Sequence, residues 1–200
     1  MAATVLVLTA LEDVTADWVI AALNERGVPV VRVDPADIGP ELSFGFRLGA
    51  QGPGWQGRLR TPSRELELEQ VGAVYYRRPT PYADRFRQLP PQQRAFAAAE
   101  ARHGLGGVLN SLRGAAYVNH PAAVMRADFK PAQLQLAARL GLSIPPTLVT
   151  NDVEAGRAFA AEHPRVICKT FRGPPRARTG TPGRSGRNGW IPRRSTRRSR

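Results

Sequence analysis

The sequence predicts an α/β fold in which a parallel βαβ core carries an antiparallel meander. A continuous apolar run from Thr4 to Thr9 is followed by a helical pattern and a second apolar run, Val28 to Val33. A strand, a helix and a strand in such close succession form a βαβ unit, whose two strands lie parallel. Between Glu41 and Leu68 the pattern changes to a period of two with turn residues between the runs, which is typical of antiparallel hairpins.

The helix of the βαβ unit has a clear beginning and end. Asp13 is the expected N-cap of a helix from Val14 to Arg26, and Gly27 is the expected stop after it. One face of this helix is predicted to carry Val14, Trp18, Ala22 and Leu23. In the meander, the residues expected to point inward are Leu42, Phe44, Phe46 and Leu48. Further elements are predicted as a strand over 73–76, one long helix over 91–112 and a short strand over 116–118.

The pattern changes again from Asn119 onward. Residues 119–121 predict a turn, and residues 131–140 predict a helix with Ala132, Leu136 and Leu140 in one stripe and Gly141 as its stop. Asn151 or Asp152 is expected to cap a helix that ends at Glu162, and residues 164–169 predict a last buried strand that contains Cys168. The predicted domains are therefore 1–118, 119–171 and an Arg-rich disordered tail, 172–200.

The tail differs in composition from everything before it. Residues 172–200 contain ten of the chain's arginines and no acidic residue, whereas the first 171 residues have a net charge of only +3. Such a segment predicts no fixed fold. It has two interpretations: non-specific nucleic-acid binding through phosphates, or translation of a GC-rich coding sequence in the wrong frame.

Composition and the N-terminal residues also predict the cellular compartment of the protein. The single cysteine and the N-terminus without a basic segment predict a cytoplasmic protein with no signal peptide and no membrane partner. The three histidines lack the spacing of metal ligands, so the sequence predicts no metal site and no catalytic residue of its own.

Two lysines are candidate anion-binding residues. Lys130 precedes Pro131 at a predicted helix start, where free backbone N–H groups favour anions, although a solvated lysine is the simpler interpretation. Lys169 ends the predicted strand over 164–169, and ligands of α/β folds gather at strand ends. The alternative interpretation is that the Lys169 side chain only extends into solvent.

Arg77 and Arg78 follow the predicted strand over 73–76 and are candidate substrate-binding residues. Because successive side chains of a strand alternate, one is expected to point inward and one outward. An inward guanidinium can bind a carboxylate or phosphate with two hydrogen bonds. A structural ion pair with Asp34, Asp37 or Glu65 is the equal alternative.

An ordered series of short segments resembles a known family. The carrying segments are 4–9, 22–30, 76–79, 100–109, 119–121, 130–131, 133–134, 137–138, 141–142, 146–148 and 150–152. Over residues 1–171 the chain resembles the pre-ATP-grasp domain and the beginning of the ATP-grasp module of ribosomal peptide maturases, the microviridin-type and related graspetide ligases. No single segment is diagnostic, and the resemblance rests on their order.

The resemblance implies a function and two cofactor contacts. In this family ATP, with Mg²⁺, phosphorylates a side-chain carboxylate of a ribosomal precursor peptide, and a hydroxyl or amine then closes an ester or amide ring. The family's two phosphate-contacting lysines correspond to Lys130 and Lys169. Homo-oligomer formation is left open as a further partner interaction.

The chain departs from the family after Lys169. Complete members continue with a glycine-bearing loop, adenine-contacting residues and acidic Mg²⁺ ligands, whereas residues 172–200 contain no acid. The expectation is a truncated or frame-shifted member that is inactive alone. The alternative is a non-catalytic α/β binding module with a nucleic-acid-binding tail.

Overall fold

The computed structural model describes residues 3–49 and 52–171. The chain divides into two units, Met1–Arg126 and Ala127–Arg200, and each is described by itself. The predicted boundary after residue 118 lies eight residues before this division, and the domain limits given above stay predictions. The predicted disorder of the tail concerns residues 172–200, which lie outside the described residues.

The first unit is built on a parallel sheet, as the sequence predicts. Its strands are β1 (Thr4–Leu8), β2 (Val30–Val33), β6 (Val71–Tyr76) and β7 (Ala116–Val118). They lie in the order β2-β1-β6-β7, and all three pairings are parallel. The predicted βαβ unit is confirmed, because β1 and β2 are neighbours joined through helix α1 (Val14–Glu25).

Helix α1 begins where the sequence predicts and ends one residue earlier, at Glu25, but its buried face differs in part. The Asp13 carboxylate accepts a hydrogen bond from the Ala16 N–H, and Gly27 follows the helix with φ +68°. Ala16 is buried, whereas Val14 and Trp18 are 58% and 70% exposed. The predicted face is therefore wrong at Val14 and Trp18 but right at Leu23, which is half-buried and continues the face of Ala16 with Val19 and Ile20 at helical spacing.

The antiparallel meander is confirmed as a separate sheet. Its strands are β3 (Ser43–Gly49), β4 (Gly52–Arg60) and β5 (Glu65–Glu67), in that order. Leu59 and Leu66 are buried at its centre, and Leu42 is buried just before it. The predicted inward alternation fails at Phe44 and Leu48, which are exposed, whereas Phe46 between them packs against the core.

The predicted long helix is broken into two. Helix α3 (Pro91–His103) ends at Gly104, and helix α4 (Leu105–Leu109) begins directly after it. A Cβ at Gly104 would stand 3.1 Å from the Glu100 carbonyl oxygen, a close approach that suits glycine. The break allows Leu105, Val108 and Leu109 to enter the core.

Two short helices lack a predicted counterpart. They are α2 (Tyr82–Arg85) and α5 (Pro121–Ala127), the second of which begins inside the predicted turn. The core joins both sheets and helix α4. Its largest buried members are Leu6, Leu8, Leu42, Leu59, Leu66, Leu105 and Leu109.

Over its described residues, 127–171, the second unit consists of two helices and irregular chain. Helix α6 (Lys130–Arg139) is followed by Gly141 at φ +77°, and Asp152 caps helix α7 (Val153–Glu162), as the sequence predicts. The strand predicted over 164–169 is absent from the described chain, and Cys168 is exposed rather than buried. A strand exists only when a neighbour satisfies its backbone groups, and apolar sequence does not provide that neighbour.

In the described part of the chain, no helix is both long and apolar enough to cross a membrane.

Candidate functional site

Polar side chains collect where three strands of the parallel sheet end. Thr9 follows β1, Asp34 follows β2 and Arg77 follows β6. Parallel strands end at one edge of their sheet, and ligands of α/β folds bind beyond that edge. Thr9 and Asp34 are both buried, so each depends on hydrogen bonds within the protein.

Asp13 is the centre of this edge. Its carboxylate accepts a hydrogen bond from the Thr9 hydroxyl at 2.9 Å, and it also caps α1 through the Ala16 N–H at 3.3 Å. The Arg77 Nε donates to it as well and lies 3.0 Å from Oδ2. Together they fix the loop after β1 against the end of β6.

The environment of Asp13 favours its ionised form. Burial works to raise the pKa of the carboxyl, but three groups oppose it: the Thr9 hydroxyl, the Arg77 guanidinium and the Ala16 N–H. Their hydrogen bonds and the charge of Arg77 prevail and lower the pKa below its ordinary value of 3.8. Asp13 is therefore a charged, fixed anchor at neutral pH.

The ion pair of Arg77 differs from the pairs that the sequence suggested. Its partner is Asp13 rather than Asp34, Asp37 or Glu65. The reason is the strand order: β6 lies directly beside β1, so the residues that follow these two strands meet. Sequence reasoning took Asp13 only as a helix cap and missed its second role.

Arg32 is a second arginine at this edge, and the sequence analysis did not single it out. Its guanidinium donates to the backbone carbonyls of Ala10 and Leu11 at 2.5 and 2.7 Å and pairs with Asp17 at 2.5 Å. It thereby fixes the loop between β1 and α1. The available signal was a charged residue inside the apolar strand Val30–Val33.

Asp34 ties the end of β2 to the chain beyond β6. Its Oδ1 accepts the N–H groups of Ala36 and Thr80 at 3.2 and 3.1 Å. Thr80 lies two residues beyond Arg78, so the segment that carries Arg78 is held at the sheet edge from both sides.

Arg78 is the exposed arginine of the predicted pair. Its carbonyl oxygen accepts the Ala10 N–H at 3.0 Å, which fixes the backbone, while the side chain extends into solvent. Within residues 3–49 and 52–171, no carboxylate lies within ion-pair distance of its guanidinium. The prediction of one inward and one outward arginine agrees with these positions. Of the two, Arg78 has a guanidinium free to bind an anionic group.

The two candidate lysines both lie in the second unit. They are the only lysines of the chain, which has 29 Lys and Arg together. Lys130 is the first residue of α6, with Pro131 after it, as predicted. Its ammonium group donates a hydrogen bond to the carbonyl oxygen of Phe171 at 2.7 Å. Phe171 lies two residues beyond Lys169, which is exposed. The contact directs Lys130 toward the segment that carries the other lysine.

These residues fit a phosphate ligand better than they fit a metal ion. An ammonium group and the free N–H groups of a helix start are both suited to phosphate oxygens. No group of three metal-binding side chains occurs among the described residues. The roles of Arg77, Arg78, Lys130 and Lys169 stay predictions.

The family model described as the MvdD pre-ATP grasp domain matches residues 4–125. This range covers both sheets of the first unit and most of its helices. No curated protein is significantly similar to the chain in sequence.

Several solved structures share the fold of the chain. The macrocyclase MdnC from Microcystis aeruginosa MRC, bound with precursor peptide MdnA, is 31% identical with a TM-score of 0.71, over 80% of this chain and 50% of that one. A RiPP-associated ATP-grasp ligase from Chryseobacterium gregarium, in complex with ADP and leader and core peptides, is 26% identical with a TM-score of 0.74, over 86% and 51%.

The ligase PsnB, complexed with minimal precursor, Mg and ADP, is 30% identical with a TM-score of 0.64, over 86% of this chain and 54% of that one. The chain thus spans about half the length of these three proteins.

Proposed function

The chain belongs to the family of the MvdD pre-ATP-grasp domain, and from this membership we propose that it forms the N-terminal half of an ATP-grasp ligase for a ribosomally made precursor peptide. The observation that carries the proposal is the family match over 4–125, a range that includes the sheet edge described above. The neighbours MdnC and PsnB, each bound to a precursor peptide, support a peptide partner. The proposed reaction joins a side-chain carboxylate of the peptide to a hydroxyl or amine, which closes an ester or amide ring.

We propose different tasks for the two arginines. Arg78 binds an acidic side chain of the peptide, because its guanidinium is exposed while its backbone is fixed. Arg77 is a positioning residue, since its pairing with Asp13 holds the loop beneath the sheet edge. Substitution of Arg77 should therefore weaken the fold, and substitution of Arg78 should weaken peptide binding alone.

For ATP, we propose that Lys130 and Lys169 hold the phosphates. ATP supplies the phosphoryl group that activates the carboxylate, and two ammonium groups offset the negative charge of its phosphates. Among the described residues, no three His, Cys, Asp or Glu side chains gather into a metal-binding group, and residues 172–200 contain no acid. We therefore propose that the carboxylates which hold Mg²⁺ during ring closure lie in the half of the ligase that has no counterpart in this chain.

The abrupt change of composition supports a further proposal, that translation leaves the family's reading frame near Phe171. The preceding residues carry 16 acids, and none follows. Reading the coding DNA beyond codon 171 in the other two frames tests it. We expect one frame to encode Asp, Glu and Asn residues of an ATP-grasp module, and their absence from both frames would remove this proposal.

A chimaera tests the function itself. Residues 1–171 are fused to the half of MdnC that has no counterpart in this chain and are incubated with MdnA, ATP and Mg²⁺. Mass spectrometry should show MdnA products that have lost one water molecule for each ring. In matched chimaeras, Lys130→Ala and Lys169→Ala should each abolish the loss, and Gln135→Ala, on an exposed position of α6, should not. A folded chimaera that binds ATP and leaves MdnA unchanged would contradict the proposal.

A further inference from the structure

One edge of the two sheets in the described chain lacks the features that keep strands from associating. The sheets end in β2 and β7 and in β3 and β5. β5 and β7 have three residues each, and β2 has four, one of which is Arg32. β3 has seven residues, Ser43–Gly49, with no proline and with Arg47 as its only charged residue. A long edge strand without such protection is open to pairing with another strand.

The apolar face of the meander continues to this edge and is incompletely covered there. Leu66, Leu59 and Phe44 stand opposite one another across the three strands. Leu66 and Leu59 are buried, whereas Phe44 is 40% exposed. Phe46 stacks on Phe44 with the ring centroids 5.0 Å apart, and Leu48, at the next alternate position, is 55% exposed. A further strand beside β3 would complete this apolar face.

The residues of β3 are complementary to a second copy of the same strand. When two copies pair antiparallel over all seven residues, Phe44 stands opposite the partner's Leu48, and Phe46 opposite the partner's Phe46. Such apolar cross-strand pairs stabilise a sheet. On the other face Arg47 stands opposite the partner's Gly45, so no two charged residues oppose each other directly. Gly45 leaves room for that side chain, because no atom lies within 4 Å of the position that a Cβ would take.

We propose that β3 pairs antiparallel with β3 of a second copy, so that the two three-stranded meanders form one continuous sheet. The two-fold axis passes beside Phe46, and such a symmetric pairing closes at two copies. A second copy is the occupant that the register favours, because apolar residues meet apolar residues and Arg47 meets no charge. The added contact is one strand wide, so we expect a weak dimer that depends on protein concentration. The inference goes beyond the proposed function and does not depend on it.

A concentration series tests the pairing. Sedimentation velocity of the full chain should show an equilibrium between monomer and dimer. Hydrogen exchange at residues 43–49 should slow as the protein concentration rises, whereas exchange at residues 65–67, on the opposite edge of the sheet, should not change. A chain that stays monomeric up to its solubility limit would overturn the proposal, and so would a dimer in which residues 43–49 remain unprotected.

Substitutions at Gly45 test the register. Gly45→Arg places a guanidinium opposite the partner's Arg47 and should weaken the dimer about tenfold, because the two-fold axis repeats the repulsion. Gly45→Gln adds an uncharged side chain at the same position and should leave the dimer nearly unchanged. The double variant Gly45→Arg/Arg47→Glu should restore dimerisation, since opposite charges then face each other. Circular dichroism checks that each variant is folded. If the folded double variant dimerises no better than Gly45→Arg, the assigned pairing is wrong.

A substitution at Leu48 tests the apolar face. Leu48→Lys places a charge at an inward position of the edge, opposite the partner's Phe44, and should abolish the dimer. The matched control Leu11→Lys, at an exposed leucine outside the meander, should leave the dimer unchanged. Equal loss of dimer in both variants would contradict the assigned edge.

Two other occupants of the β3 edge give different outcomes. If residues 43–49 are protected in a monomer and deletion of residues 172–200 exposes them, the tail covers the edge and the proposal fails. If the chain is monomeric and addition of the peptide MdnA protects residues 43–49, a peptide strand covers the edge and the proposal also fails.

Discussion

The two units of this chain have equally clear sequence signals for the start and end of a helix, but their side chains differ greatly in burial. Asp13 caps α1 in the first unit and Asp152 caps α7 in the second, and a glycine with positive φ follows both α1 and α6. Leu6 in the first unit is fully buried, whereas Leu140 in the second is 69% exposed. Caps and stops therefore define where a helix lies, but only neighbouring elements supply a core.

Hydrogen exchange should show the largest difference between the units. Amides of β1 and β6 open only with the core, so we expect protection factors of about 10³ or more in the first unit. Amides of α6 and α7 should exchange near the rate of unfolded peptides, because no core holds these helices. Exchange measured by NMR or mass spectrometry checks both expectations. Strong protection of α6 in the isolated chain would remove the contrast.

Substitution of one leucine in each unit should show the next largest difference between the units, in the free energy of unfolding. Leu6→Ala creates a cavity in the core and should lower the free energy of unfolding by about 2–5 kcal/mol. Leu140→Ala removes a side chain that is already in water, so its effect should stay within about 0.5 kcal/mol. Urea titrations followed by circular dichroism measure both. Equal losses would mean that Leu140 is buried in solution.

The two helix caps provide a smaller and more specific comparison. Asp13→Ala removes a cap, an ion pair and a hydroxyl contact together, and we expect a loss of about 1–3 kcal/mol in the first unit. Asp152→Ala removes a cap bonded to the Glu154 N–H, so only the local protection of α7 should fall. Similar effects on global unfolding would show that the network around Asp13 adds nothing to its cap.

The pH dependence of the Asp13 variant follows from the lowered pKa. A carboxyl with a lower pKa in the folded than in the unfolded state stabilises the fold above its unfolded pKa and loses this effect as pH falls through the folded pKa. The difference in stability between the wild type and Asp13→Ala should thus be constant above about pH 5 and shrink below about pH 4. Urea titrations over that range measure it, and a constant difference down to pH 2 would contradict the assigned charge.

Arg77 shows how far sequence reasoning reaches at the candidate site. The alternation of the strand predicts that one arginine turns inward and one outward, and the structure decides that Arg78 is the exposed one. The partner of Arg77 lies 64 residues earlier in the chain. Sequence alone does not show that β6 inserts beside β1, so it gives no reason to pair Arg77 with Asp13. The role of Arg32 is not predictable from sequence for the same reason, since two of its partners are backbone carbonyls of a distant loop.

Local patterns in the amino-acid sequence are enough to predict many of the helices and strands of this protein, and their order is enough to indicate its family. Apolar runs, caps and glycine stops act over a few residues, so β1, α1, the meander and α6 are predictable without a structure. The strand order, the network at the sheet edge and the lack of a strand over residues 164–169 are visible only in the folded chain. Those features depend on residues distant in sequence, and a strand-forming segment becomes a strand only where another strand satisfies its backbone hydrogen bonds.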